Sequence, residues 1–106
     1  MKGYIGEFEE LVLLTVALLE EDAYGVTIKE CIEERTGRAI SIGALHSTIT
    51  RLEEKGFVKS SMGGATQERG GRRKRYFEVT RSGRLAMEHI KQLRDGYWKE
   101  LGIKLA

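Results

Sequence analysis

The sequence predicts a mainly α-helical protein with one small β-hairpin, an α+β fold. Four segments repeat apolar side chains at steps of three and four residues, which is the spacing of one helix face. Two short runs of strand-forming residues flank a glycine-rich stretch at 63–71, as expected for a hairpin. The 106 residues contain no proline, internal repeat or low-complexity tract, so we expect a single domain over residues 1–106.

The composition is that of a folded protein from a reducing compartment. Hydrophobic residues make up 41% and charged residues 32% of the chain, as in soluble globular proteins. Cys31 is the only cysteine and allows no internal disulfide, which favours a cytoplasmic location. The longest apolar run, Leu11 to Leu19, is too short for a membrane span, and it follows acidic residues where a secretory signal needs positive charge.

The positive charge of the chain lies after residue 22. The formal net charge is +2, but residues 1–22 hold six carboxylates and one lysine and sum to −5, which leaves +7 for the remainder. The positive field is therefore local, and its position matters more than the total.

The first helix is predicted from about Glu7 to Glu21. Most sides of its middle are apolar, through Phe8, Leu11, Val12, Leu14, Val16, Leu18 and Leu19. A helix of this kind needs partners on more than one face. We expect one face to pack within its own domain and the other to meet a second subunit.

A short turn joins the next two predicted helices. The second helix runs from about Tyr24 to Thr36, and Gly37 ends it. The third is capped by Ser41 and ends near Gly56. Two helices at this separation are typical of a helix-turn-helix unit.

The third helix has one apolar face and one short polar face. The predicted buried stripe is Ile42, Leu45, Ile49 and Leu52. The opposite face comprises Gly43, Ala44, His46, Ser47, Thr50 and Arg51. Small hydrogen-bonding side chains with one cation suit the major groove of DNA, whereas the alternative is an ordinary amphipathic surface helix.

A basic cluster lies in the predicted hairpin, whose strands fall within residues 57–62 and 72–80. Five cations occupy seven positions: Arg69, Arg72, Arg73, Lys74 and Arg75. Such a run by itself is usually a solvated face. On a hairpin that follows a recognition helix it forms a wing, and we expect it to contact phosphates or the minor groove.

The last helix is predicted from about Ser82 to Lys104, with Thr80 as its N-terminal cap. Its apolar stripe comprises Ala86, Ile90, Leu93, Tyr97 and Leu101, and Trp98 lies beside it. We expect no other part of the chain to cover this stripe fully, which suggests a dimer. We therefore expect a core at about 7–80 and a dimerisation helix at about 81–106.

Catalytic and metal-binding patterns are missing from the sequence. His46 and His89 lie 43 residues apart and neither has metal-ligand spacing. The paired glycines lack the strand, helix and lysine of a phosphate-binding loop, and no nucleophile is paired with a base. We expect no enzyme activity, no cofactor and no metal.

The sequence resembles the PadR family of winged-helix transcriptional regulators over roughly residues 7 to 90. The resemblance is carried by Tyr24, Gly25 and Ile28, by Gly43 to His46 and Arg51 to Gly56, and by Gly70 to Arg72, Arg75 to Phe77, Thr80 and Gly83. It implies a winged helix-turn-helix with dimerisation helices at both ends. It also implies a homodimer that represses a nearby promoter at an inverted repeat.

Two positions depart from the family pattern. The family often has tyrosine where this chain has His46, so a phosphate or base contact is expected to differ or to become pH-sensitive there. A proline common before the recognition helix is missing, with Ser41 and Ile42 in that region.

The resemblance also offers a role for Trp98 in the last helix. Some relatives bind flat aromatic compounds at the dimer centre through a tryptophan of that helix. The simpler interpretation is a tryptophan buried in the dimer seam, because aromatic residues are enriched in interface cores. The residues concerned in either case are Trp98, Tyr97 and Phe8.

These observations predict a sequence-specific DNA-binding regulator with double-stranded DNA and a second copy as partners. The expected major-groove residues are His46, Ser47, Thr50 and Arg51. The expected wing residues are Arg72, Arg73, Lys74 and Arg75. The alternative is a winged-helix protein-interaction module without direct DNA binding, and the basic wing argues against it.

Overall fold

The computed structural model describes residues 5–63 and 73–105. Its elements in chain order are α1 (Glu7–Leu19), a 3-10 turn (Glu20–Asp22), α2 (Gly25–Thr36), α3 (Ile42–Glu54), β1 (Val58–Met62), β2 (Arg75–Val79) and α4 (Arg81–Leu105). The prediction of a mainly α fold with one hairpin is confirmed, and the arrangement is a winged helix-turn-helix.

Local chemistry fixes the boundaries of the two central helices. The Ser41 hydroxyl accepts a hydrogen bond of 3.0 Å from the Ala44 N–H, which satisfies a free donor in the first turn of α3. Gly37 and Gly56 have φ values of 72° and 80°, a left-handed conformation in which a side chain is strained. The predicted stops of both helices are therefore confirmed.

The core lies where α1, α2 and α3 meet the hairpin. Its fully buried side chains include Val12, Leu13, Val16, Ile28, Ile32, Leu45 and Leu52, and Ile49, Val58 and Phe77 join them. Truncating a buried leucine such as Leu13 to alanine typically costs about 2–5 kcal/mol. These contacts hold α3 in place and leave its other side free.

The predicted buried stripe of α3 is wrong at one position. Ile42 is 46% exposed, and Thr48, which is 1% exposed, takes the fourth buried place beside Leu45, Ile49 and Leu52. At about 100° per residue, Thr48 extends the buried arc of α3 on one side, while Ile42 lies at the opposite edge of that arc, in the first turn of the helix.

The hairpin is bound to the start of α2. Its strands are antiparallel, with Val58 opposite Val79 and Met62 opposite Arg75. The Phe77 N–H donates a hydrogen bond of 2.9 Å to the Ala23 carbonyl, which attaches β2 to the chain entering α2. The predicted loop beyond Gly63, including Arg69 and Arg72, lies outside the described residues.

Thr80 joins α3, the hairpin and α4. Its hydroxyl donates to the Gly56 carbonyl at 2.6 Å and accepts from the Gly83 N–H at 3.0 Å. Its own N–H donates to the Phe57 carbonyl at 2.9 Å. The prediction that Thr80 caps the last helix is confirmed, and Gly83 packs so closely on Phe57 that a Cβ would overlap its carbonyl oxygen.

The far half of α4 extends from the body. A helix of 25 residues is about 37 Å long, and the molecule measures 59 Å along its longest axis. Every residue from 91 to 100 is exposed. Within residues 5–63 and 73–105, no helix combines the length and apolarity needed to cross a bilayer.

Candidate nucleic-acid interface

The outer face of α3 presents short side chains to solvent. The predicted polar set, Gly43, Ala44, His46, Ser47, Thr50 and Arg51, is exposed at every position. The opposite side of the helix is fixed by Leu45, Thr48 and Leu52 in the core. The backbone of α3 can therefore approach a flat or grooved partner closely on this face.

One edge of that face opens into a groove shared with α2 and β2. Its volume is about 480 Å³. The residues lining it are Tyr24, Gly25, Val26, Ile42, His46, Ile49, Thr50, Glu53, Arg75 and Phe77. His46 and Thr50 of the recognition helix thus lie beside Arg75 of the wing, and two predicted parts of the site come together here.

Each described cation of the wing is held by a neighbour yet remains exposed. Arg75 Nη1 donates to Ser60 Oγ at 3.0 Å, and Arg73 Nε donates to the Gly63 carbonyl at 3.4 Å. All three cations, including Lys74, are exposed. These contacts restrain the side chains without neutralising them, so their charge faces outward.

Tyr24 supports the wing from α2. Its ring lies 4.4 Å from Lys74 Nζ, in a cation–π contact. It also packs edge-to-face on Tyr76, with ring centroids 5.4 Å apart and an interplanar angle of 72°. One aromatic side chain therefore sets the position of both a wing cation and a strand residue.

Arg51 lies on the other edge of α3, against α1. Its Nε donates to Glu9 Oε2 at 3.2 Å, and its Nη2 donates to Thr48 Oγ1 at 3.1 Å. The side chain is still 54% exposed. Arg51 is thus not part of the groove with Arg75, and its contact to DNA stays a prediction.

Glu9 is a buried carboxylate with three donors. Its Oε1 accepts from Lys55 Nζ and from the Gly6 N–H, each at 2.8 Å, while Oε2 accepts from Arg51. Burial by itself would raise the pKa of Glu9, but the hydrogen bonds from Lys55, Gly6 and Arg51 outweigh it and hold the pKa below its ordinary value. The carboxylate stays ionised and binds one cation of α3, Arg51, and one directly after it, Lys55.

Sequence reasoning missed Glu9 as a site residue. The signal was present, because Glu9 precedes Val12, Leu13 and Val16 by three, four and seven residues and so occupies a core position of α1. A carboxylate on a buried face requires a cationic partner. Which cation fills that role depends on tertiary packing.

A second group of exposed side chains, on α1 and α4, is apolar. The side chains concerned are Leu14 and Leu18 on α1 and Leu93, Tyr97, Trp98 and Leu101 on α4. Tyr97 and Trp98 are 67% and 65% exposed. Phe8, predicted to join them, is partly buried on α1 and packs against the core of its own subunit.

Comparison with known proteins gives the fold and the family. The Transcriptional regulator PadR-like family matches residues 13–89. A PadR family transcription regulator from hypervirulent Clostridium difficile R20291 is 25% identical, with a TM-score of 0.70 over 92% of this chain and 98% of that chain. No curated protein matches the sequence significantly.

Two further solved structures have the same fold. A PadR-like transcriptional regulator from Bacillus cereus strain ATCC 14579 is 18% identical, with a TM-score of 0.74 over 92% of this chain and 90% of that chain. A transcriptional regulator from Clostridium thermocellum is 26% identical, with a TM-score of 0.67 over 94% of this chain and 91% of that chain.

The family match contains α2, α3 and both strands, and with them the groove described above. PadR-like proteins are transcription regulators and not enzymes, in line with the absence of catalytic patterns in the sequence. This chain belongs to the PadR-like family of transcriptional regulators.

Proposed function

We propose that this chain is a sequence-specific DNA-binding repressor that acts as a homodimer at an inverted repeat in the cytoplasm. The observation that carries the proposal is the groove in which His46 and Thr50 of α3 lie beside Arg75 of β2. A helix face of small polar groups next to a cationic hairpin is suited to a polyanion with readable edges.

In the proposed complex α3 lies in the major groove. The groove of B-DNA is about 12 Å wide and accepts an α-helix, and residues at the start of a recognition helix contact base edges. Ser47 and Thr50 are exposed on the outer face of α3 and are short enough to let it approach. His46 and Arg51 lie on the two edges of that face and contact bases or the flanking phosphates.

The wing supplies the contacts that do not depend on sequence. Arg73, Lys74 and Arg75 are exposed at the end of β2, and Arg72 precedes them in the chain. Each cation that neutralises a phosphate releases condensed counterions, which drives binding at low salt. We assign these residues to the DNA backbone or to the minor groove.

The exposed apolar side chains of α1 and α4 form the homodimer contact in this proposal. Leu93, Tyr97 and Trp98 are large apolar side chains that are exposed close together on one helix. Exposed apolar patches of this kind usually mark a contact with another protein surface. In this proposal the two copies of α3 lie about one DNA turn apart, roughly 34 Å, as half-sites on one face of the duplex require. A flat aromatic compound is the effector class that would stack on Trp98 in this seam.

A fluorescence anisotropy titration against DNA from upstream of the protein's own coding sequence tests the proposal. Binding should weaken steeply with salt, and Arg73→Ala should lower the slope of log K against log [salt] by about 0.9 per subunit. Lys104→Ala, which removes an exposed cation at the end of α4, is the matched control and should leave the slope unchanged. An Arg73→Ala slope equal to that of wild type would remove Arg73 from the contacts.

Two exposed apolar side chains in the groove favour the alternative, a protein-interaction module. Val26 and Ile42 are 54% and 46% exposed, and exposed apolar side chains are the usual anchors of a protein partner. The interaction module would replace the repressor if the protein bound DNA only weakly and independently of salt, and bound a folded protein tightly through this groove.

Repression is tested by transcription from a reporter promoter that contains the bound site.

A further inference from the structure

An exposed isoleucine opens the recognition helix. Ile42 is the first residue of α3 and is 46% exposed, although the adjoining outer face consists of small or polar groups. The Ser41 hydroxyl caps this turn at the Ala44 N–H, so the backbone that carries Ile42 is fixed. A β-branched side chain on a fixed helix turn has few rotamers to lose when it is buried by a partner.

Ile42 shares one row of α3 with two predicted DNA contacts. Ile42, His46 and Thr50 recur at four-residue steps and line the same groove as Arg75. In a helix-turn-helix complex the N-terminal residues of the recognition helix contact base edges. Ile42 therefore comes first in a row in which the next two positions carry polar side chains.

The partner of an apolar side chain in this position can be identified by chemistry. On the major-groove edges of the four base pairs, the groups are hydrogen-bond donors and acceptors, except for the C5-methyl group of thymine. We propose that Ile42 is a specificity-determining residue that packs on a thymine C5-methyl in each half-site. This inference rests on the proposed DNA binding and adds that Ile42 selects thymine at one position of each half-site.

The test compares thymine with deoxyuridine, which lacks only the methyl group. A duplex is first selected from a randomised pool by the full-length protein and is then resynthesised with each thymine replaced in turn by deoxyuridine. Burying one methyl corresponds to about a fourfold change in affinity, so one position per half-site should weaken wild-type binding about fourfold. Replacing both symmetry-related thymines should weaken it about fifteenfold.

The variants assign that sensitivity to one side chain. Ile42→Ala should bind thymine and deoxyuridine duplexes equally, and Ile42→Val should retain most of the discrimination. Val26→Ala is the matched control, because Val26 is a similarly exposed branched residue in the same groove but on α2. It should discriminate as wild type does.

The outcomes separate the inference from the function on which it rests. If the pool yields no enriched sequence, the DNA-binding proposal itself fails. If a sequence is enriched but wild type tolerates deoxyuridine at every thymine, or Ile42→Ala keeps the discrimination, Ile42 does not contact the methyl. If Val26→Ala and Ile42→Ala lost discrimination between thymine and deoxyuridine to the same extent, the assignment to Ile42 would likewise be overturned. Both variants change exposed side chains, so we expect both to fold. Each should unfold at the same urea concentration as wild type.

Discussion

Glu9 and Glu10 are neighbours on α1 that bind two different helices. Glu9 accepts hydrogen bonds from Arg51 of α3 at 3.2 Å and from Lys55, which directly follows α3, at 2.8 Å. Glu10 Oε1 accepts from Arg94 Nη2 of α4 at 2.9 Å. The first turns of α1 are therefore ion-paired both to the recognition helix and to the helix that we propose pairs with a second copy.

The Glu9 contact makes stability depend on pH. Glu9→Gln should lower the free energy of unfolding at pH 7 by about 1–3 kcal/mol, because the amide oxygen carries no charge and the amide NH2 group cannot accept a hydrogen bond. The pKa of Glu9 is lowered from 4.5 in the folded state, so its contribution is fully present above pH 4.5 and is lost as the pH falls through the folded pKa. Urea unfolding at a series of pH values measures both effects.

The control for Glu9 lies on the same turn. Glu7 is exposed, so Glu7→Gln should leave the free energy of unfolding within about 0.5 kcal/mol of wild type. Wild type and Glu9→Gln should converge at strongly acidic pH, where the carboxyl group is protonated. A difference between them that stayed constant from pH 7 to pH 3 would contradict the ionic role of Glu9.

Two glycines of α4 should respond in opposite directions to alanine. Gly83 is buried, and a Cβ there would overlap the Phe57 carbonyl, so Gly83→Ala should destabilise the fold by about 1–3 kcal/mol. Gly96 has open space around its Cβ position within the subunit, so Gly96→Ala should add about 0.5–1 kcal/mol through helix propensity. Thermal or urea unfolding measures both. If Gly96→Ala instead lowered the free energy of unfolding, a second copy would have to pack on that position.

Tyr24 should matter through its ring. Tyr24→Leu removes the cation–π contact to Lys74 and the edge-to-face contact to Tyr76, and should cost about 1–2 kcal/mol of unfolding free energy. Tyr24→Phe keeps the ring and should unfold within about 0.5 kcal/mol of wild type. If the two variants unfold at the same urea concentration, the ring contacts do not stabilise the wing.

The exposed stripe of α4 predicts concentration-dependent association. Leu93 is 56% exposed, and Leu93→Glu should convert the proposed dimer to monomer in sedimentation equilibrium, because it buries a charge in an apolar seam. Gln92→Glu adds the same charge at the neighbouring exposed position and should remain dimeric. Trp98 is the only tryptophan, so its emission should shift to the blue as wild type associates. Equal sedimentation of both variants would contradict this contact surface.

Features set by neighbouring residues could be predicted from the sequence. The caps at Ser41 and Thr80 and the left-handed Gly37 each involve groups within four residues, and the structure has all three. The end of α1 was predicted at Glu21 but falls at Leu19. The chain leaves the helix through Glu20 with a φ of 55°, a conformation that a sequence without glycine at this point does not indicate.

Features set by packing could not be predicted in the same way. Arg51 was expected to face DNA freely, but it binds Glu9, which lies 42 residues earlier. No local pattern encodes which of several cations reaches a buried carboxylate. The exposure of Ile42 has a similar origin, since the direction from which α1 packs on α3 decides which apolar position at the edge of the stripe stays outside.

The hydroxyl of Thr80 holds the base of α4 to the end of α3, so the long helix leaves the body at a set inclination rather than as a swinging arm. Over about 37 Å, an inclination change of about 5° moves the distal tip by about 3 Å, which is close to the rise of one base pair. In the proposed dimer, the number of base pairs between paired half-sites would then depend on this inclination, and so in part on a threonine that we assign to neither the DNA contacts nor the contact between copies.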